Sequence, residues 1–196
     1  MSERNPYEKH ILKCAFNVIA KYSISGTRMR LIAEEAGMTA SNLVYHFKTK
    51  RDLLLALLLD IQEDYEVDRY DYLNNSDDTL PGKLNAFFEQ KKHSILYTPE
   101  KERVQFDFWV LGQSDSEIGK IFQHSYTLWH DHIAAVIQEY CPGISSSDSD
   151  LIAYHMISFM MGGSMQYLNQ EQFDLNAYFD SGLTMFLNRI NSIYFN

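Results

Sequence analysis

The sequence predicts an all-α protein of about nine helices, three or four in a small N-terminal module and the rest in a larger body. Three observations predict it. Glycine and proline, nine and four in 196 residues, are too scarce to punctuate many short strands. Apolar residues recur at i, i+3, i+4 and i+7, which lines one face of a helix and scatters over both faces of a strand. Gaps between the apolar runs hold helix-start signals, among them Thr49-Lys50-Arg51-Asp52 and Ser114-Asp115-Ser116-Glu117. In each, a hydroxyl and an acid three residues on can cap one another's amides.

Taken in order, the first helix runs from about Tyr7 to Tyr22, with Ile11, Leu12, Ala15, Phe16 and Ile19 facing inward. In the next, Met29, Ile32, Ala33 and Ala36 share one face, and Gly37 stops it because glycine enters the left-handed cap conformation cheaply. Met38 plugs the turn and Thr39 caps the following helix, about Ala40 to Phe47, which Leu43 and Phe47 anchor to the core. At about 100° per residue its opposite face carries Ser41, Asn42 and Tyr45, flanked by Ala40, Val44 and His46. A short helix, a glycine turn and a second short helix with a small, amide and aromatic outer face have the layout of a helix-turn-helix that enters a DNA major groove.

The fourth helix starts at the Thr49 box and continues towards Asp68, and NNSDDTLPG at 74–82 is the clearest linker. Further helices are expected at Lys83–Leu96, from Thr98-Pro99 to near Gly112, and from the Ser114 box to about Tyr140. After the loop CPGISSSDSD, two long helices cover about Asp148–Asn169 and Leu175–Ile193. The domains are therefore 1–53, the helix-turn-helix module, and 54–196, the helical body.

Charge follows the same division. Nine basic against five acidic residues give +4 before residue 54; eight against 21 give −13 after it, which recovers the total of −9. A basic module on an acidic body suits a chain that meets phosphate at one end only. No run approaches the ~18 apolar residues of a membrane span, since Gly162-Gly163 breaks the best candidate. MSERNPYEKH lacks the apolar core of a secretory signal, and Cys14 and Cys141 fit no metal or redox spacing. A cytoplasmic protein with free thiols is expected.

The run from Thr27 to Leu54 resembles the N-terminal domain of TetR-family repressors. The matching positions are Thr27 (or Arg28), Ile32, Ala33, Ala36, Gly37, Met38, Thr39, Leu43, His46, Phe47, Lys50 and Leu53. One departure is Val44, where many members have tyrosine, with the aromatic moved to Tyr45. Further on, Phe108-Trp109 and Tyr126-x-x-Trp129 are similar to the branch that includes the choline-responsive betaine regulator. The resemblance implies a homodimeric repressor on double-stranded DNA, a near-palindromic operator, dimerisation through the last two helices, and release by a small-molecule inducer. An activator role stays open.

On this reading the DNA-binding set is Arg28, Arg30, Thr39, Ala40, Ser41, Asn42, Tyr45, His46 and Lys50. His46 and Lys50 are expected to be exposed and to touch phosphate, and Arg30 to reach a base or a phosphate. Phe106, Trp109, Phe122, Tyr126, Trp129 and Tyr154 are candidates for an inducer pocket, with core packing as the alternative. Asp107 and Asp131 would favour a cationic ligand there. Met156, Phe159, Met160, Leu183, Phe186, Leu187 and Ile190 are interface or core, and Gly162-Gly163 offers a close dimer seam. His130 and His132 fall on different helix faces and are poor joint metal ligands. With no nucleophile motif or phosphate loop, no enzymatic activity, metal or cofactor is expected.

Overall fold

Nine α-helices make up the regular structure of the described residues, 5–170 and 172–194, in a computed structural model. They are α1 (Pro6–Gly26), α2 (Met29–Glu35), α3 (Ala40–His46), α4 (Lys50–Asn74), α5 (Leu80–Tyr97), α6 (Pro99–Gly112), α7 (Ser116–Tyr140), α8 (Ser146–Asn169) and α9 (Leu175–Tyr194). Arg4, one of the nine basic residues counted above, lies outside the described residues. None of the nine helices is long and apolar enough to cross a membrane.

Local chemistry explains the helix starts. The Asn5 side chain accepts from the Tyr7 amide at 2.9 Å, with Pro6 in the first turn of α1. At α4 the capping box closes in both directions: the Thr49 amide donates to Asp52 Oδ2 at 3.0 Å and the Asp52 amide to Thr49 Oγ1 at 3.1 Å. The second expected box is different. Asp115, one residue later than Ser114, caps α7 by accepting from the amides of Glu117 and Ile118. Helix α5 begins earlier than Lys83, because Thr79 Oγ1 accepts from the Gly82 amide. Ser145 does the same for α8 through the Asp148 amide.

The helices gather into two units that are not contiguous in sequence. One gathers the chain up to Asp64 with Glu100–Phe122; the other gathers Tyr65–Pro99 with the chain from Gln123 onward. In the first, Ile11, Leu12, Ala15, Ile19, Ile32, Leu43, Leu57, Leu58, Phe108 and Ile118 are buried. Its α1 passes Tyr22 but is broken at Ser23, where φ is 57° and ψ 170°.

The second unit packs around Phe88, whose ring lies 5.5 Å from Phe179 and 6.2 Å from Phe186. Here Met156, Met160, Phe186 and Ile190 prove to be core, while Phe159, Leu183 and Leu187 are half-buried. Of the glycine pair expected at a dimer seam, Gly163 makes a close approach inside the chain. A Cβ on Gly163 would sit 2.8 Å from both Phe179 and Tyr178, so this close approach is between α8 and α9 of the same chain. Gly162 has only the Tyr178 hydroxyl near, at 3.7 Å.

Candidate nucleic-acid interface

The turn between α2 and α3 fixes the outer face of α3. Gly37 has φ 64°, the Met38 amide donates to the Ala33 carbonyl at 2.9 Å, and the Gly37 amide donates to Glu34 at 3.1 Å. This paired pattern ends a helix on a left-handed residue. Beyond it, Thr39 Oγ1 accepts from the Asn42 amide at 3.2 Å and restarts the chain as α3.

With Leu43 fully buried and Phe47 nearly so, the rest of α3 has one orientation left. Ala40, Ser41 and Asn42 are exposed, and Tyr45 is 82% exposed. His46 is half-buried: its ring stacks on Tyr7 at 6.4 Å and meets the edge of Tyr45 at 5.4 Å. That corrects the expectation of a freely exposed histidine. Arg28 is exposed where α2 begins, and Arg30, also exposed, lies 3.7 Å from Glu34 one turn on.

Lys50 departs further from expectation. Its ammonium donates to the carbonyl oxygens of Ile24 and Thr27 at 2.5 and 2.6 Å, tying the start of α4 to the end of α1. Burial, followed by the charge of Arg28, pulls this lysine below its ordinary pKa, with Asp107 opposing. The same corner holds the break at Ser23. Thr27, buried, donates its hydroxyl to the Ser23 carbonyl at 2.6 Å, and Asp107 Oδ2 accepts from the Ile24 amide at 2.6 Å. Arg51 is likewise engaged, donating to Asp115 at 2.7 and 2.9 Å and to Glu117 at 2.8 Å. Those bonds hold the Asp115 carboxyl down at about 2. Lys48, which the sequence reading passed over, is exposed in the loop between α3 and α4; a basic residue next to the helix restart was the available signal.

The six pocket candidates are divided between the units. In the first, Phe106 is half-buried, Phe122 is buried, and Trp109 is 50% exposed. In the second, Trp129 is buried, Tyr126 is half-buried against it at 6.1 Å, and Tyr154 is 59% exposed with its ring 4.2 Å from His130. The carboxylates expected to favour a cation are otherwise engaged: Asp107 caps Ile24, and Asp131 Oδ1 lies 2.9 Å from His130 Nδ1. A cavity of about 510 Å³ in the second unit is lined by Asp71, Tyr72, Asn75, Asp77, Asn85 and Glu89, among others, and by none of the six. Among the described residues no three His, Cys, Asp or Glu side chains group as metal ligands.

Residues 11–57 match the model of the bacterial regulatory proteins of the tetR family. The chain carries a tetR-family domain. Over 54 residues it is 39% identical to the HTH-type transcriptional regulator RutR of Escherichia coli (strain K12), which is 28% of this chain and 26% of RutR. The match thus spans about a quarter of that relative. Beyond the tetR-family segment the likeness is one of fold. A Saccharomonospora viridis protein crystallised in complex with choline superposes with TM-score 0.81 at 20% identity, covering 92% of this chain and 95% of that one. A TetR transcription regulator from Haloarcula marismortui superposes with TM-score 0.77 at 14% identity, covering 95% and 97%.

Proposed function

We propose that the protein is a sequence-specific DNA-binding transcriptional regulator, a cytoplasmic homodimeric repressor that a small ligand releases from its operator. One observation carries this reading: α3 buries Leu43 and Phe47 and turns Ser41, Asn42 and Tyr45 outward behind a glycine turn that fixes its angle. Such a face can place an amide on a base edge in the major groove, with Arg28, Arg30 and Lys48 available for phosphate and His46 supporting Tyr45.

Dimerisation through α8 and α9 is supported by Leu151, Tyr154, Met165 and Met185, all at least half exposed on those helices. Two copies related by a two-fold axis would set their α3 helices about 34–36 Å apart on a near-palindromic operator. A ligand that favours a different spacing would lower operator affinity by population shift.

Selecting bound sequences from a random DNA pool tests the reading. A two-fold repeat with half-sites one helical turn apart is expected, and no enrichment at all would overturn it. Asn42→Ala should cost about 1–3 kcal/mol on the selected site and relax one position of each half-site. The same base preference in the variant would remove Asn42 from the readers.

A further inference from the structure

Arg69 lies on α4 in the second unit and is 5% exposed. Its Nε is shut off from solvent without a hydrogen-bond partner, and the carboxylate charge that acts on the guanidinium is that of Glu66, three residues back on the same helix. What it touches is an aromatic face: its Cζ lies 5.5 Å from the Trp129 ring centre. Burial pulls the group down to about 10, so it stays charged at neutral pH. A buried cation without a partner is expensive, and proteins retain one chiefly where something else completes it.

Three more buried polar atoms of the described residues lack partners, and all are on α7 of the same unit: Trp129 Nε1, His130 Nε2 and His132 Nδ1. His130 Nε2 has Asp150 at 3.7 Å. His132 Nε2 lies 3.2 Å from the Tyr70 hydroxyl, and Arg69 is close enough to hold that imidazole, with burial as the larger cause, below its ordinary pKa. A neutral His132 that accepts from Tyr70 at Nε2 carries its proton on Nδ1, the orphaned atom. Arg69, Trp129 and His132 then present N–H donors with nothing to receive them.

We infer that this cluster is an anion site, and that it takes an organic carboxylate whose two oxygens accept from Arg69 and from the Trp129 and His132 N–H groups. A single negative charge fits better than the double charge of a phosphate, because Glu66 and Asp131 already act on Arg69 and His132. An organic body fits because Tyr126 and Tyr70 flank the donors. A cation such as choline would meet an unpaired guanidinium. The inference deepens the repressor reading by giving its releasing ligand a chemical class, and it rests on that reading only for the release.

The full chain is titrated by calorimetry and melted in the presence of acetate, octanoate, benzoate and indole-3-acetate, with benzamide, choline and inorganic phosphate as the neutral, cationic and dianionic arms. At least one organic carboxylate should bind and raise Tm while those three arms do not. Arg69→Met should weaken that binding by roughly ten- to a hundredfold, as expected for hydrogen bonds to a charged group, and should itself melt no lower than the unsubstituted chain. Trp129→Phe, which keeps the packing and removes the N–H, should weaken binding by a smaller factor. The inference is overturned if no carboxylate binds, if phosphate, choline or benzamide binds as well, if binding survives Arg69→Met, or if that variant melts early or fails to fold. Operator titrations separate the two readings. A carboxylate that binds through Arg69 and leaves operator affinity unchanged sinks the release and keeps the site; intact operator binding with no carboxylate bound does the opposite.

Discussion

Helix α4 carries two cations that live differently, Lys50 half-buried and Arg69 buried. Lys50, in the first unit, has two backbone carbonyls within 2.6 Å and closes the corner between α1 and α4. Arg69, in the second, has an indole face and no acceptor. The fold uses the first charge, since without it the Thr27 carbonyl would lose the Lys50 ammonium and the Ile24 carbonyl would keep only the Thr27 amide at 3.3 Å. It gains little from the second, whose desolvation outweighs the opposing charge of Glu66. Burial alone therefore says nothing about purpose; the partners do.

Substitution sharpens the contrast. Lys50→Met should cost about 1–3 kcal/mol, the penalty for stranding acceptors near the core, and lower Tm by several degrees in a thermal melt, whereas Arg69→Met should not. Equal losses in the two variants would break the comparison. At the break in α1, Ser23 sits in a region of backbone space nearly reserved for glycine. Ser23→Gly should raise stability by about 1 kcal/mol, measured by urea denaturation, and a loss there would show that the hydroxyl contact to Ser25 outweighs the strain. The smallest effect on the fold belongs to the exposed lysine two residues before Lys50. Lys48→Ala should leave Tm unchanged and reduce the salt slope of operator binding by about one unit. An unchanged slope would remove Lys48 from the phosphate contacts.

The register of the helix-turn-helix was legible from the sequence because two independent constraints agree on it: a glycine placed for a left-handed cap, and apolar anchors four residues apart at Leu43 and Phe47. The capping of α4 was legible for the same kind of reason, since a box is a local pattern. Local pattern failed at Ser114-Asp115, where adjacent residues are both good caps and only the backbone selects between them. It failed again at Gly163, because a close helix approach looks the same in sequence whether the neighbour is α9 of the same subunit or of another. Lys50 and Asp107 lay beyond reach, as their partners are backbone atoms distant in sequence. Arg69 was half visible. It continues the buried positions Leu58, Ile61 and Tyr65 at helical spacing, which puts a charge on the inner face; that no acceptor awaits it needed coordinates. Among the pocket candidates, helical spacing could not separate buried Trp129 from half-exposed Trp109.

The open space around Gly37 has a consequence of its own. Apart from its two chain neighbours, no heavy atom lies within 4 Å of where an L-residue's Cβ would stand, so the turn has room for a side chain and resists one only through its left-handed backbone. L-alanine at position 37 would therefore find room for its side chain and still oppose the turn, through the backbone alone. What this position demands is a left-handed backbone rather than a small side chain.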